Sequence, residues 1–218
     1  MSLFRTASIL ILVILVSLLV TFGSYPAFLL SNQGHILKES MWFQLISSIS
    51  SFLVMFLTPL LIIKFVIKKK IEDFGLKLPI KQKEAILYSS LILLFSLPIM
   101  LYFGNQFNFQ SYYQGSGQKL LNSFFIFTLT SFIYYLSEEF VFRGFLLFNL
   151  FEDLGDFSIY VSGILFSLFH IGKPINEVFF ALVLGIALGY LALKTKSILP
   201  GTIVHLALAL ILNTLVLF

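Results

Sequence analysis

The sequence predicts an all-α bundle of transmembrane helices, with about seven to eight spans, and three observations carry that prediction. Of 218 residues, 59% are hydrophobic and only 11% are charged, less than half the ~25% charged share of an ordinary soluble domain. The apolar residues fall in runs separated by charged clusters, and those runs approach the ~20 residues a helix needs to cross hydrocarbon. The runs do not alternate polar with apolar, as barrel strands do. Helices are then the structures that satisfy their own backbone in lipid. The chain has no cysteine, which excludes disulfides and thiolate metal sites. Its basic residues gather at the ends of the apolar runs, where they set topology, and none forms a stripe suited to nucleic acid.

The first run, about Ser8 to Leu30, follows Arg5. It is read as a retained helix, because no small-x-small cleavage site closes it and further spans follow. A polar stretch containing His35 leads to the second run, about Trp42 to Ile67. Trp42 suits an interface, and Lys64 is close enough to the other end to snorkel. Residues 68–84, "KKKIEDFGLKLPIKQKE", carry six lysines. This stretch is expected in the cytoplasm, which places the N-terminus inside as well. The third run is about Ala85 to Phe103, and the loop "GNQFNFQSYYQGSGQK" after it falls outside.

The fourth run, Leu120 to Phe151, has 32 residues, about 48 Å of helix. It must tilt, bend or protrude, and it has room to conceal an eighth element. "EDLGD" turns inside, the fifth run is about Phe157 to Ile171, and "GKPINE" lies outside. The sixth run is about Val178 to Leu193, "KTKSILP" is inside, and the last run is about Gly201 to Phe218. This threading puts nine Lys and Arg of the loops and N-terminus inside and three outside. Gly185 and Gly189 form a GxxxG, a close-packing feature of membrane helices. The division expected is residues 1–119 as N-terminal helices with the basic loop and residues 120–218 as the core, together one structural unit without internal repeats.

An ionisable residue at bilayer depth costs at least ~2.5 kcal/mol on insertion scales, so each marks a functional candidate. Five stand out: Glu138, Glu139, Arg143, His170 and His205. Glu139 and Arg143 are four apart and can pair along one helix face. Glu138 lies about 100° around the helix and is left without a local cation. Glu138 precedes Glu152 by 14 residues, and His170 follows Asp156 by 14. In a hairpin turning between them, both sit about 21 Å from the turn and are level. His205 lies five residues past Pro200, about 8 Å along a helix starting there. To join the others, its leading connection must dip into the protein or the helices must tilt. A carboxylate with two imidazoles can activate water and shuttle protons. The same trio also matches a Zn²⁺ site with one open position, although no HExxH is present.

The set "EEFVFR", "FSLFH" and a histidine opening a late span resembles the CPBP family of intramembrane proteases, also called Abi or CAAX-protease-like. The family pattern is EExxxR, then FxxxH, then HxxxN or HxxxD. Here it is met by Glu138, Glu139 and Arg143, by Phe166 and His170, and by His205 with Ala209 in the last position. "DFGLKLPI" also looks like the family's segment ahead of its core. The resemblance implies a CAAX-protease-like fold with a cavity open to the cytoplasm. It implies catalytic roles for Glu138, His170 and His205, and structural or orienting roles for Glu139, Arg143 and Phe166. Alanine cannot replace the family's asparagine as an oxyanion donor, a loss of about 10²–10³ in rate. Asn213, about 12 Å further along the axis, is the remaining candidate donor.

The expected function is an intramembrane endopeptidase of a bacterial plasma membrane, acting on a peptide or protein near the cytoplasmic leaflet, with zinc as the one cofactor the trio could hold. A non-catalytic membrane scaffold or bacteriocin self-immunity protein on the same fold is the alternative. A transporter with a Glu–His relay is a third reading, and would call for repeated halves.

Overall fold

The computed structural model describes residues 41–217 together with Ile11 and Ile14. Those two residues apart, the expected first span, Ser8 to Leu30, lies outside the described residues, as do Arg5 and His35. Seven helices follow in order, and no β-strand occurs among the described residues.

Helix α1 covers residues 41–67 and contains two wider π-helical stretches, Phe52–Leu57 and Ile62–Ile67, flanking Thr58–Leu61. Pro59 lies in that middle segment, where a missing N–H disrupts the regular ladder. The helix stops at Lys68, whose φ of 56° is left-handed. A 3₁₀ turn, Ile71–Phe74, then buries Phe74. Gly75 follows with φ of 78°, and a Cβ there would lie 2.7 Å from the Phe148 ring. Only glycine satisfies both conditions at once.

The remaining helices are α2, Gln82–Gly104; α3, Phe107–Asn122; α4, Phe124–Leu154; α5, Phe157–Phe169; α6, Ile175–Thr195; and α7, Leu199–Leu215. Within α1, the stretch Gln44–Ile67 is long and apolar enough to cross a membrane, as are α2, α4 and α6, while α5 and α7 are shorter apolar helices. Phe65, Val66, Phe95 and Phe125 are turned outward and exposed, as lipid-facing residues must be. The chain is an integral membrane protein.

Two expectations change. The polar loop after the third run is largely the helix α3. Phe109 is fully buried, and Gly117 and Leu120 are buried with it. With Tyr113 they form a stripe at helical spacing that low hydropathy and two glycines concealed. The 32-residue fourth run is also not one element: its first residues finish α3, and the chain breaks at Ser123 before α4 begins. Helix α4 then carries a π-helical stretch, Phe140–Leu147, in its middle.

Helices α5 and α6 approach most closely at Gly163 and Gly185, where a Cβ on Gly185 would lie 3.0 Å from the Gly163 Cα. This is small-residue packing in the membrane sense. Two ends of the bundle are pinned by polar contacts. At one end, Lys69 pairs with Glu152, Ile198 donates its N–H to the Gly75 carbonyl at 3.0 Å, and Ile80 donates to the Thr195 carbonyl at 3.1 Å. At the other, the Tyr113 hydroxyl donates to Glu177 at 2.6 Å, and Lys173 pairs with Glu177 at 2.9 Å.

Candidate functional site

The first end explains how His205 gains depth. Thr195, Ser197 and Ile198 are fully buried, because the 3₁₀ turn and the extended strip after it fold over them. The Ser197 hydroxyl donates to the Lys77 carbonyl at 2.5 Å. The α6–α7 connection therefore dips into the protein, and α7 starts well inside it.

From there the sequence brings three helices together. Glu139 and Arg143 on α4 are both 0% exposed, with Arg143 Nη1 donating to Glu139 Oε1 at 3.0 Å. The guanidinium lies 4.0 Å from the centroid of the Phe166 ring, a desolvated cation–π contact. Its Nη2 reaches the Gly185 carbonyl at 3.4 Å. The same Glu139 oxygen also takes the Nδ1–H of His205 at 3.1 Å. Gly201 makes room for this carboxylate: a Cβ there would lie 3.2 Å from Glu139 Oε2.

With Nδ1 donating, His205 presents Nε2 as a lone pair. That nitrogen is 3.9 Å from Glu138 Oε2. Glu138 is buried and makes no hydrogen bond among the described residues. The His205 ring lies against the Tyr135 ring, tilted to it, with centroids 4.3 Å apart. His170, at the end of α5, donates its Nδ1–H to the Phe166 carbonyl at 2.9 Å, so its Nε2 is also left as an acceptor. The Phe166 ring packs against both imidazoles, with centroids 4.6 and 5.6 Å away.

His170 and His205 line one cavity of about 50 Å³ together with Ala209 and Asn213. A few waters fit such a space, at roughly 10–15 Å³ each on this measure. Glu138 does not line it, and meets it at His205. Asn213 donates one amide hydrogen to the Ala209 carbonyl at 2.8 Å, and its Oδ1 is buried without a partner. Among the described residues, no three His, Asp or Glu side chains are grouped to hold a metal ion. Glu138, His170 and His205 are thus not gathered as a zinc centre among the described residues.

The cavity extends to Tyr113, Lys173 and Glu177, at the end of the bundle opposite the six-lysine segment. These three residues escaped the sequence argument, although Lys173 and Glu177 stand four apart and Tyr135 precedes Glu138 by three, both helix-face spacings. Burial raises the Tyr113 pKa well above the ordinary phenol range. Burial works against the Lys173 ammonium, but Glu177 and the nearby phenols outweigh it and raise its pKa. This end of the cavity therefore holds a neutral phenol beside the Lys173–Glu177 pair.

Residues 120–211 fit the family model described as type II CAAX prenyl endopeptidase Rce1-like. That span takes in Glu138, Glu139, Arg143, Phe166, His170 and His205, and stops short of Asn213. No curated protein matches the chain, and no solved structure does.

Proposed function

From the match of residues 120–211 to the Rce1-like CAAX-protease family model, we propose that the chain is an intramembrane endopeptidase hydrolysing a peptide bond with water activated by Glu138. The observation that carries this is the arrangement of His205, whose Nδ1 is fixed by the buried Glu139 while Nε2 stands 3.9 Å from Glu138. A carboxylate orienting an imidazole in this way sets its tautomer and stabilises the imidazolium.

Glu138 takes a proton from a cavity water through His205 Nε2, and the hydroxide adds to the carbonyl carbon. As the C–N bond breaks, the leaving nitrogen takes up that proton, passed through Glu138 or His205 Nε2, leaving a carboxylic acid and an amine. His170 Nε2, the second lone pair on the cavity, orders the attacking water. Dry walls such as Leu184 and Leu208 strengthen each of these interactions. Residues 120–218 form the catalytic core in this scheme and residues 1–119 flank it. The partners are a peptide or protein substrate and the lipid bilayer, and the setting is a bacterial plasma membrane with the N-terminus in the cytoplasm.

Two observations favour a second reading, a non-catalytic scaffold or immunity protein: Ala209 cannot donate to an oxyanion, and about 50 Å³ admits no peptide without movement. One assay separates the two. Purified protein in bilayers is offered a panel of fluorogenic peptides beside Glu138→Gln and His205→Gln. Cleavage by the native chain that both variants lose supports the peptidase. Cleavage retained at full rate by both variants removes Glu138 and His205 from the mechanism, and no cleavage by any of them favours the scaffold.

A further inference from the structure

We propose that the site is reached from the extracytoplasmic side of the membrane, so that the bond it cuts is carried by a peptide presented there. The biological consequence rests on the peptidase reading; the orientation itself does not.

Three observations lead to it. Among the described residues, Lys64, Lys68, Lys69, Lys70, Lys77, Lys81, Lys83, Lys194 and Lys196 all belong to one end of the bundle. That grouping is fixed in space by the Lys69–Glu152 pair, by the Ser197–Lys77 hydrogen bond and by Lys196 over the Phe151 ring. The opposite end carries Lys119 and Lys173. Such an asymmetry in short connections orients a bundle with its lysine-rich end in the cytoplasm.

The second observation is where the cavity runs. On α7 it follows His205, Ala209 and Asn213, rising about 12 Å toward the lysine-poor end. There it meets Tyr113, Lys173 and Glu177, the residues that tie that end together. Asn213 Oδ1, buried and unpartnered, stands along this route as an acceptor for a peptide N–H.

The third is the floor. On the cytoplasmic side of the imidazoles lies a layer with no exposure at all: Glu139, Phe140, Arg143, Phe166, Ile198 and Thr202. Passage through it would break the buried Glu139–Arg143 pair. A peptide therefore comes to Nε2 of His170 and His205 from above. The substrate class is a peptide already translocated, or the outer end of a membrane-inserted one. The carboxyl terminus of a cytoplasmic protein does not qualify.

The absence of cysteine makes the test clean. Full-length Gln114→Cys, on α3, and Gln82→Cys, at the start of α2, are produced in separate cells. Both positions are exposed, and neither belongs to the site. Intact cells are treated with a membrane-impermeant maleimide, then lysed in detergent and labelled again. The expected result is more than tenfold preferential labelling of Gln114→Cys before lysis, with both reacting after it. Preferential labelling of Gln82→Cys, equal labelling of the two, or labelling of neither until lysis overturns the proposal. None of these outcomes depends on turnover, so the orientation can fail while the Glu138→Gln assay still supports a peptidase, and the reverse.

Discussion

Replacing Glu139 by glutamine tests whether the carboxylate beneath the site serves both folding and chemistry. In the native chain its Oε1 accepts from Arg143 at 3.0 Å and from His205 at 3.1 Å, with no exposure of either member of the ion pair. Glu139→Gln leaves a buried guanidinium without a counter-charge, a change that costs about 3–5 kcal/mol. Arg143 keeps the Phe166 face at 4.0 Å and the 3.4 Å contact with the Gly185 carbonyl. A desolvated cation–π contact contributes about 2 kcal/mol, so the loss should fall at the lower limit, about 3 kcal/mol. Adding Arg143→Met removes the orphaned charge at similar volume, and such replacements are often neutral. The double variant should therefore recover at least about 2 kcal/mol of the loss, measured by reversible unfolding in mixed micelles followed by helical circular dichroism. Its turnover should remain at least about 10²-fold low, because no negative charge supports the His205 imidazolium. A single variant that loses less than about 1 kcal/mol, or a double variant no more stable than the single, refutes the buried-pair account. A stable double variant at native turnover refutes the positioning role.

Three other substitutions probe separate parts. Glu138→Gln loses no hydrogen bond, so unfolding should change by less than about 1 kcal/mol while kcat falls about 10²–10⁴-fold. Tyr113→Phe deletes the two contacts to Glu177 at 2.6 and 2.7 Å. Hydrogen bonds to a charged group are worth about 1.5–3 kcal/mol, so that end of the cavity should open more often and a thiol at Ala209→Cys should react roughly tenfold faster or more. Gly185→Ala sets a Cβ 3.0 Å from the Gly163 backbone and should cost about 1–3 kcal/mol in the same unfolding assay. Gly189→Ala meets the Ile159 side chain at 3.3 Å, which can yield, and should cost less.

Much of this was legible because lipid simplifies the rules. Apolar runs gave α1, α2, α4, α5, α6 and α7 to within a few residues, since length and hydropathy decide a span. The Glu139–Arg143 pair followed from spacing four along a helix. What escaped had other causes. Helix α3 is polar on average, so hydropathy could not see it; only the stripe of Phe109, Tyr113 and Leu120 recorded its docking. The depth of His205 depends on Ile198 and Ser197 being covered by a strip over a hundred residues earlier in the chain, a long-range contact that no local count reaches. The direction of the cavity depends on which side of the imidazoles is filled, and that is set jointly by side chains from α4, α5 and α7. The family pattern carries residue types and order, and it says nothing of this.

The adjacency of two glutamates in an apolar run acquires a physical reason from His205. Neighbours on a helix point about 100° apart, so one helix can offer a carboxylate to each of two places only a side chain apart. A single imidazole has two nitrogens facing opposite ways. Its Nδ1 is held by Glu139, which also accepts from Arg143 in the floor, while its Nε2 faces Glu138, which makes no hydrogen bond on α4. Spacing the two acids by four would put both on the floor, and both would be spent on Arg143. Spacing them by two, about 200° apart, would turn one of them away from His205. The i, i+1 arrangement is the one that fixes the ring from below and leaves a carboxylate beside its free nitrogen. The wider turns that begin at Phe140, immediately after the pair, then carry Arg143 back under Glu139 without drawing Glu138 into the same bond.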